Sequence, residues 1–430
     1  MTTKQVFACV VFFAFFQGLF AQSSWSYLPQ APGGQFGNEG RIDDVFFINY
    51  NEGWCATSSG NIYHTTDAGA TWTKQLAAGN SFYFRAIEFR NSQLGFAGTL
   101  NSRFYRTTDG GVTWTNIANQ ITPLPKAICG ISIPHDSVMY AVGQWDEPAF
   151  YIKSTDGGQT FTSHSMATQA KGLVDVLFIN RDTGWVAGKG IGGATILHTT
   201  DGGATWTQLF NSGNNGEYVW KLQRVTPEVW VGSIQTMTSP NGRMVKSTDG
   251  GMTWSALPAP ITDMQGIGFA TPQKGWIGDY SPGFFETNDG GATWTQVFFG
   301  STYNRFHFID STHAFASGNS IYKFSPDSAS STINLPGGSD QYRDKFDFTI
   351  SPNPTTGQTR VAFELPQLDN VRISILSPQG IELKNVYKQR LPEGRHDILI
   401  DTGDLPSGNY LLWIQRNAGL YTKPLLINKR

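Results

Sequence analysis

TTDGGATW, residues 199–206, is the stretch on which the fold turns, because near copies of it recur along the chain. They read TTDAGATW at 65–72, TTDGGVTW at 107–114, STDGGQTF at 154–161, STDGGMTW at 247–254 and TNDGGATW at 287–294. The aspartates Asp67, Asp109, Asp156, Asp201, Asp249 and Asp289 step forward about every 44 residues, the length of one four-stranded propeller blade. Each copy predicts a tight hairpin turn, in which the carboxylate accepts backbone N–H bonds two residues on and glycines supply positive φ. The Thr that follows opens the next strand. Trp72, Trp114, Phe161, Trp206, Trp254 and Trp294 then offer large apolar surface for packing within and between sheets. Six equivalent turns cannot all be active sites, so the six aspartates read as structural.

Upstream of each turn two more strands align. The first reads DVFFIN (44–49), AIEFRN (86–91), GISIPH (130–135), DVLFIN (175–180), GIGFAT (266–271) and RFHFID (305–310), with apolar residues alternating. The second carries an aromatic: Trp54, Phe96, Tyr140, Trp185, Trp230, Trp276 and Phe315, several of them after a glycine. That makes seven copies. The seventh ends as IYKFSPD (321–327), without the glycines and without a final strand. SSWSYLP (23–29) resembles the post-turn segment TWTKQLA (71–77), so the missing strand is expected at the other end of the chain, with Trp25 in the place of Trp72. Pairing first with last would close the ring and remove exposed edges. The expected fold is therefore all-β, a seven-bladed propeller spanning 22–327, with six blades and a decorated end as the alternative.

Composition agrees with many short strands. Glycine contributes 48 of 430 residues and aromatics 13%, which favours turns and sheets over long helices. Lys+Arg 31 against Asp+Glu 33 gives a net charge of −2, and charged residues are only 15%. No concentrated basic face is available for nucleic acid. Lys4 followed by the apolar run Val6–Phe16 and Ala21 reads as a secretory signal over residues 1–21. Cys9 sits inside that run behind the bulky Phe7, which argues against a lipoprotein signal. No later stretch approaches about 18 apolar residues, so no transmembrane segment is expected in the mature chain. Cys55 and Cys129 fall in the first and third copies and are expected as two buried, unbridged thiols. The seven histidines are scattered without zinc spacing, and no glycine-rich stretch leads into Gly-Lys-Ser/Thr, so no metal and no cofactor are expected.

The octapeptides resemble the Asp-box, or bacterial neuraminidase repeat, and with the Gly-aromatic strands they resemble the photosystem II stability/assembly factor-like propellers. The resemblance implies the fold firmly and the function weakly, since Asp-box propellers include sialidases, endoglucanases, sorting receptors and assembly factors. After the propeller the composition turns to Ser, Pro, Gly and Asp, and 328–345 reads as a linker. Residues 346–430 predict about seven short strands broken by Pro/Gly turns, the pattern of a small Ig-like β-sandwich. Ser351-Pro352-Asn353-Pro354, Val371–Ile375, Gly380, Leu405–Tyr410 and the final run to Lys429-Arg430 resemble the type A C-terminal sorting domain of the type IX secretion system. That resemblance implies recognition of the tail by type IX machinery, and a protein secreted from, or held at the outer-membrane surface of, a Gram-negative bacterium. A monomer is expected.

In a propeller the innermost strands line a central channel, and ligands meet the residues at its mouth. The pairs that precede each inner-strand core read Asp43-Asp44, Arg85-Ala86, Cys129-Gly130, Val174-Asp175, Val219-Trp220, Gln265-Gly266 and Asn304-Arg305. Asp43, Asp44, Arg85, Asp175, Trp220, Gln265, Asn304 and Arg305 are accordingly the candidate ligand-binding set. Mixed charges with a Trp suit a polar or glycan-like ligand, and suit a salt-bridged channel plug equally well. No catalytic residue is assigned. A sialidase needs an arginine cluster, a Tyr with a Glu partner and an Asp acid/base; Arg41, Arg85, Arg305 and Tyr303 are present, but no Glu is placed beside Tyr303. Asp44 and Asp175 are the one acid pair that the alignment sets across the channel. The favoured reading is a non-enzymatic propeller that binds a protein or glycan; the alternative is a secreted sialidase-like glycoside hydrolase.

Overall fold

The structure is a computed structural model that describes residues 25–28, 30–33, 40–146, 148–236, 242–279, 283–297, 302–325, 346–376, 382–416 and 419–429. The expected signal segment and linker lie outside these residues. Among the described residues the chain is all-β, with a single 3-10 turn at Ala118–Gln120.

Seven four-stranded antiparallel sheets occupy 25–324. Sheets one to six are simple meanders, each built from one repeat. Their first strands are Ile42–Phe47, Phe84–Phe89, Gly130–Ser132, Ala170–Phe178, Glu217–Arg224 and Met264–Phe269. In the seventh, Tyr303–Phe308, Ala314–Gly318 and Ile321–Phe324 are completed by Trp25–Tyr27, with Trp25 opposite Phe324 and Tyr27 opposite Tyr322. First strands of successive sheets pack side by side, and that of the seventh packs on that of the first. The chain is thus a β-propeller whose ring is closed by its own two ends, leaving no free sheet edge at the seam.

The Gly-aromatic dipeptides have a steric cause. Gly53 lies opposite Phe47, and a Cβ there would sit 2.4 Å from the Phe47 ring; Gly95, Gly184 and Gly275 stand in the same relation to Phe89, Phe178 and Phe269. The missing side chain lets the first-strand ring lie flat against the sheet. The second-strand aromatic stacks on the ring of the following sheet: Trp54 on Phe89 at 3.6 Å, Tyr140 on Phe178 at 3.5 Å, and across the seam Phe315 on Phe47 at 3.6 Å. These buried inter-sheet stacks form the core of the ring.

All six Asp-box turns share one hydrogen-bond pattern. In the fourth, Asp201 Oδ1 accepts from the Thr205 amide at 2.9 Å and the Thr199 hydroxyl at 2.7 Å, while Oδ2 accepts from the Thr205 hydroxyl at 2.6 Å. The expected bond two residues on is corrected here: the carboxylate reaches four residues on, across the whole turn, because the two residues after it, glycines in five boxes and Ala68-Gly69 in the first, hold positive φ and fold the chain back over it. The Thr199 hydroxyl in turn accepts the Gly203 amide at 2.9 Å. The following aromatics are half-buried rather than core, and four of them meet the first-strand Phe of their own sheet edge-on, Trp72 to Phe47 at 6.1 Å, Trp114 to Phe89 at 5.8 Å, Trp206 to Phe178 at 6.3 Å and Trp294 to Phe269 at 6.2 Å. Trp25 repeats that contact on Phe308 at 6.5 Å, as its alignment with Trp72 predicts.

Beyond 346, a three-stranded sheet (Phe348–Ser351, Gln358–Leu365, Gly394–Asp401) and a four-stranded one (Glu382–Leu391, Asp369–Leu376, Gly408–Arg416, Gly419–Ile427) share one apolar core that includes Phe348, Val361, Ile373, Ile400, Leu412 and Leu425. Cys55 and Cys129 are both buried and not disulfide-bonded. Burial pushes the Cys129 thiol up to about 12.

Candidate functional site

A regular strand turns successive side chains to opposite faces, so two adjacent residues do not both reach one channel. Here they do, because six of the seven first strands carry a register shift at the same rung. The residues skipped by the ladder are Asp43, Arg85, Val174, Trp220, Gln265 and Asn304. Each bulge re-aims its residue inward beside the next one. The ring thereby gathers two layers of side chains at the end of the channel where the first strands begin.

The outer layer centres on Asp43. Arg85 Nη1 donates to Asp43 Oδ1 at 2.6 Å, Arg85 Nη2 to Gln265 Oε1 at 3.0 Å, and Asn304 Nδ2 reaches Asp43 Oδ1 at 3.4 Å. The Arg85 guanidinium lies 5.1 Å from the Trp220 ring centroid, and Arg41 pairs with Asp43 from outside at 2.5 Å. The inner layer centres on Arg305. It forms an ion pair with Asp44, Nε lying 2.7 Å from Oδ1, and donates Nη2 to Asp44 Oδ2 at 3.1 Å and Nη1 to Asp175 Oδ1 at 3.2 Å, so one side chain from sheet seven ties sheet one to sheet four. Lys221 Nζ adds a second cation to Asp175 at 2.6 Å.

All eight residues of the candidate set are therefore brought together, and seven of them are at most 8% exposed. Two corrections follow. In sheet five the channel pair is Trp220-Lys221 rather than Val219-Trp220, since the bulge falls on Trp220 and Val219 enters the apolar core. The shift by one residue hid Lys221, which only the equivalent bulge in a first strand left unaligned could have revealed. Asp44 and Asp175 do form a pair across the channel, but with Arg305 between them.

Polar first-strand side chains, acids and neutral groups alike, also stitch neighbouring sheets. Asp44 Oδ2 accepts the Ile87 amide at 2.9 Å, Glu88 Oε1 the Ile133 amide at 2.9 Å, Ser132 Oγ the Phe178 amide at 3.0 Å, Asp175 Oδ2 the Leu222 amide at 2.7 Å and Gln223 Oε1 the Phe269 amide at 2.7 Å. Sequence reading missed Glu88, Ser132 and Gln223. They sit at alternate positions of strands read as core, where their polarity was the available signal. Burial pushes the Asp175 carboxyl up to about 6 against the pull of Arg305, and Glu88 up to about 8. Asp44 is raised for the same reason, again opposed by Arg305. Around the mouth stand Tyr83, hydrogen-bonded to Arg41, and a stack of Tyr218 on Trp220 at 5.4 Å. Trp220 Nε1 donates to Gln235, whose amide donates to Asp263. Among the described residues no cluster of His, Cys, Asp or Glu could hold a metal ion, and no helix is long and apolar enough to cross a membrane.

Residues 34–140 and 120–261, together more than half of the chain, match the family model of the photosynthesis system II assembly factor YCF48. Residues 349–428 match the secretion system C-terminal sorting domain. No curated protein matches the chain. Among solved structures, YCF48 bound to D1 peptide superposes with a TM-score of 0.54 at 17% identity, covering 71% of this chain and 98% of that one. The GH74 enzyme of Niastella koreensis gives 0.52 at 13% identity, covering 95% and 75%. PorZ, a bacterial surface component of the type-IX secretion system of Porphyromonas gingivalis, gives 0.50 at 13% identity, covering 91% and 60%. At such identities these likenesses concern the fold alone.

Proposed function

Because the chain belongs to the YCF48 photosynthesis system II assembly factor family and ends in a secretion system C-terminal sorting domain, we propose that it is an exported, non-enzymatic propeller that binds a segment of another protein at the mouth of its channel. Residues 22–327 act as the binding unit and 346–430 as the address read by type IX machinery, which brings the protein to the cell surface or the medium. The Asp43–Arg85–Trp220 layer is the floor of the site, and Arg41, Tyr83 and the Tyr218–Trp220 stack are its walls. Planar rings beside guanidinium groups suit a peptide with polar and aromatic side chains. The structural neighbour that holds a D1 peptide is consistent with such a ligand.

The observation that carries binding over hydrolysis is Arg305. A two-carboxylate glycosidase needs one carboxyl free to give a proton and another free to attack or to activate water, and a sialidase needs a channel-facing Tyr with a Glu partner, whereas Tyr303 is buried in an apolar core. Asp44 and Asp175 are instead both clamped by Arg305 and by backbone amides. The test pairs a peptide array and a glycan array with fluorogenic sialosides and xyloglucan. Retention of peptides, weakened at least about tenfold by Arg85→Ala with Trp220→Ala, is expected. Turnover of either substrate that disappears in Asp44→Asn would replace this reading by the hydrolase one.

A further inference from the structure

The tail carries a cavity of about 380 Å³ that the propeller's function leaves unused, lined by Asn370, Arg372, Lys388, Gln389, Arg390 and Gln415 among others. It lies over the four-stranded sheet. Val371, Ile373 and Ile375 enter the core, so alternation sets Asn370 and Arg372 on the outer face. The register then concentrates charge there. Arg372 is directly opposite Lys388 on one side and Gln415 on the other, and Asn370 is opposite Arg390. Like charges facing each other across a ladder are destabilising, and here a third cation stands two residues along the same strand. No Asp or Glu lines the cavity. Asp347, Asp369, Asp397 and Asp404 are engaged elsewhere, with Lys423, Arg416, Arg360 and Lys384. Arg372 is steadied by the Trp413 ring, 5.8 Å from its guanidinium.

We infer that this cavity binds a phosphate group carried by a hydroxylated partner, a sugar phosphate or a phospholipid headgroup. A carboxylate is satisfied by one arginine fork, whereas two guanidinium groups and an ammonium around one space match a phosphate with several charged oxygens. The amides of Asn370 and Gln415, on the same outer face as Arg372 and Lys388, supply both donors and acceptors for neighbouring hydroxyls. The volume suffices for a phosphorylated hexose and falls within the range of small-molecule sites.

The full chain is titrated calorimetrically with glucose 1-phosphate and with glucose. In parallel it is floated with phosphatidylcholine vesicles, with and without phosphatidylglycerol. Saturable binding of glucose 1-phosphate but not glucose supports the site with a soluble source; flotation only with phosphatidylglycerol supports it with a membrane source. In either case binding should weaken with added salt and fall at least about tenfold in Arg372→Gln/Lys388→Gln/Arg390→Gln. Lys423→Gln, whose partner is Asp347, should bind as the parent does. The triple variant removes repulsion from an outer face, so its melting temperature should be unchanged or higher; should it fold poorly, the exposed Arg390→Gln replaces it with the same expected direction. Neither phosphate probe binding, or the substituted chain binding as the parent does, would overturn the inference.

Discussion

A carboxyl group enclosed by protein keeps its proton unless a cation or a set of amide donors outweighs its lost hydration. Glu88 receives one amide, from Ile133, and burial pushes it up to about 8; Asp175 has two cations as well and rises only to about 6. Both folded values lie above the unfolded ones. The stabilisation from these groups is therefore complete at pH below the unfolded values and is lost as pH rises, through about 6 for Asp175 and about 8 for Glu88. Glu88→Gln keeps an oxygen for the Ile133 amide and has no proton to lose. Its melting temperature should stay level between pH 6 and 8, where that of the parent declines. Parallel curves for the two proteins over that interval would refute the assignment.

The Asp-box turn and the closing strand are the elements that repeat the fold and finish it. Every box holds its carboxylate by hydroxyl and amide donors, and Asp156, Asp249 and Asp289 are held down at about 2. These turns also dock on their neighbours: Trp54 Nε1 donates to Gly110 O at 3.2 Å and Trp185 Nε1 to Gly251 O at 2.9 Å, each one sheet along. Trp276 faces the one sheet without a box, and its indole turns instead to Glu286 at 2.9 Å. Sheet seven relies on Trp25, 3% exposed, packed against Trp276 at 5.4 Å, Phe306 at 5.5 Å and Phe324 at 5.2 Å. Trp25→Ala should cost about 3–5 kcal/mol, as a buried Trp truncation does, and should expose sheet seven to limited proteolysis first. Trp72→Ala, at a half-buried ring, should cost distinctly less in the same urea titration. Equal losses would mean that the seam is no more dependent on its strand than any other sheet.

For the molecule as a whole, the sorting tail assigns a destination and the ring assigns what arrives there. In a host with the type IX route, a chain ending at 345 should fold and accumulate inside the outer membrane, while the full chain reaches the surface or the medium. Fractionation with an antibody against the propeller checks this, and equal export of both chains would remove the role given to the tail.

The repeat was legible in sequence because its signals are local: a turn needs Asp, Gly and Thr within eight residues, and a flat Phe needs a glycine opposite. Trp25 could be matched to Trp72 for the same reason, although its partner strand lies about 300 residues away. The export tail was legible through its ordered short motifs. What sequence left open was whether Asp43, Asp44, Arg85, Asp175 and Arg305 meet a ligand or one another, and by setting the sheet-five pair one residue early it overlooked Lys221. Those answers depend on bulges and on distances across a ring, where Arg305 from the last sheet meets acids from the first and fourth. Local propensity dictates the blade; only closure of the ring decides which charges face each other, because that partnership is set by the geometry of strands far apart in the chain.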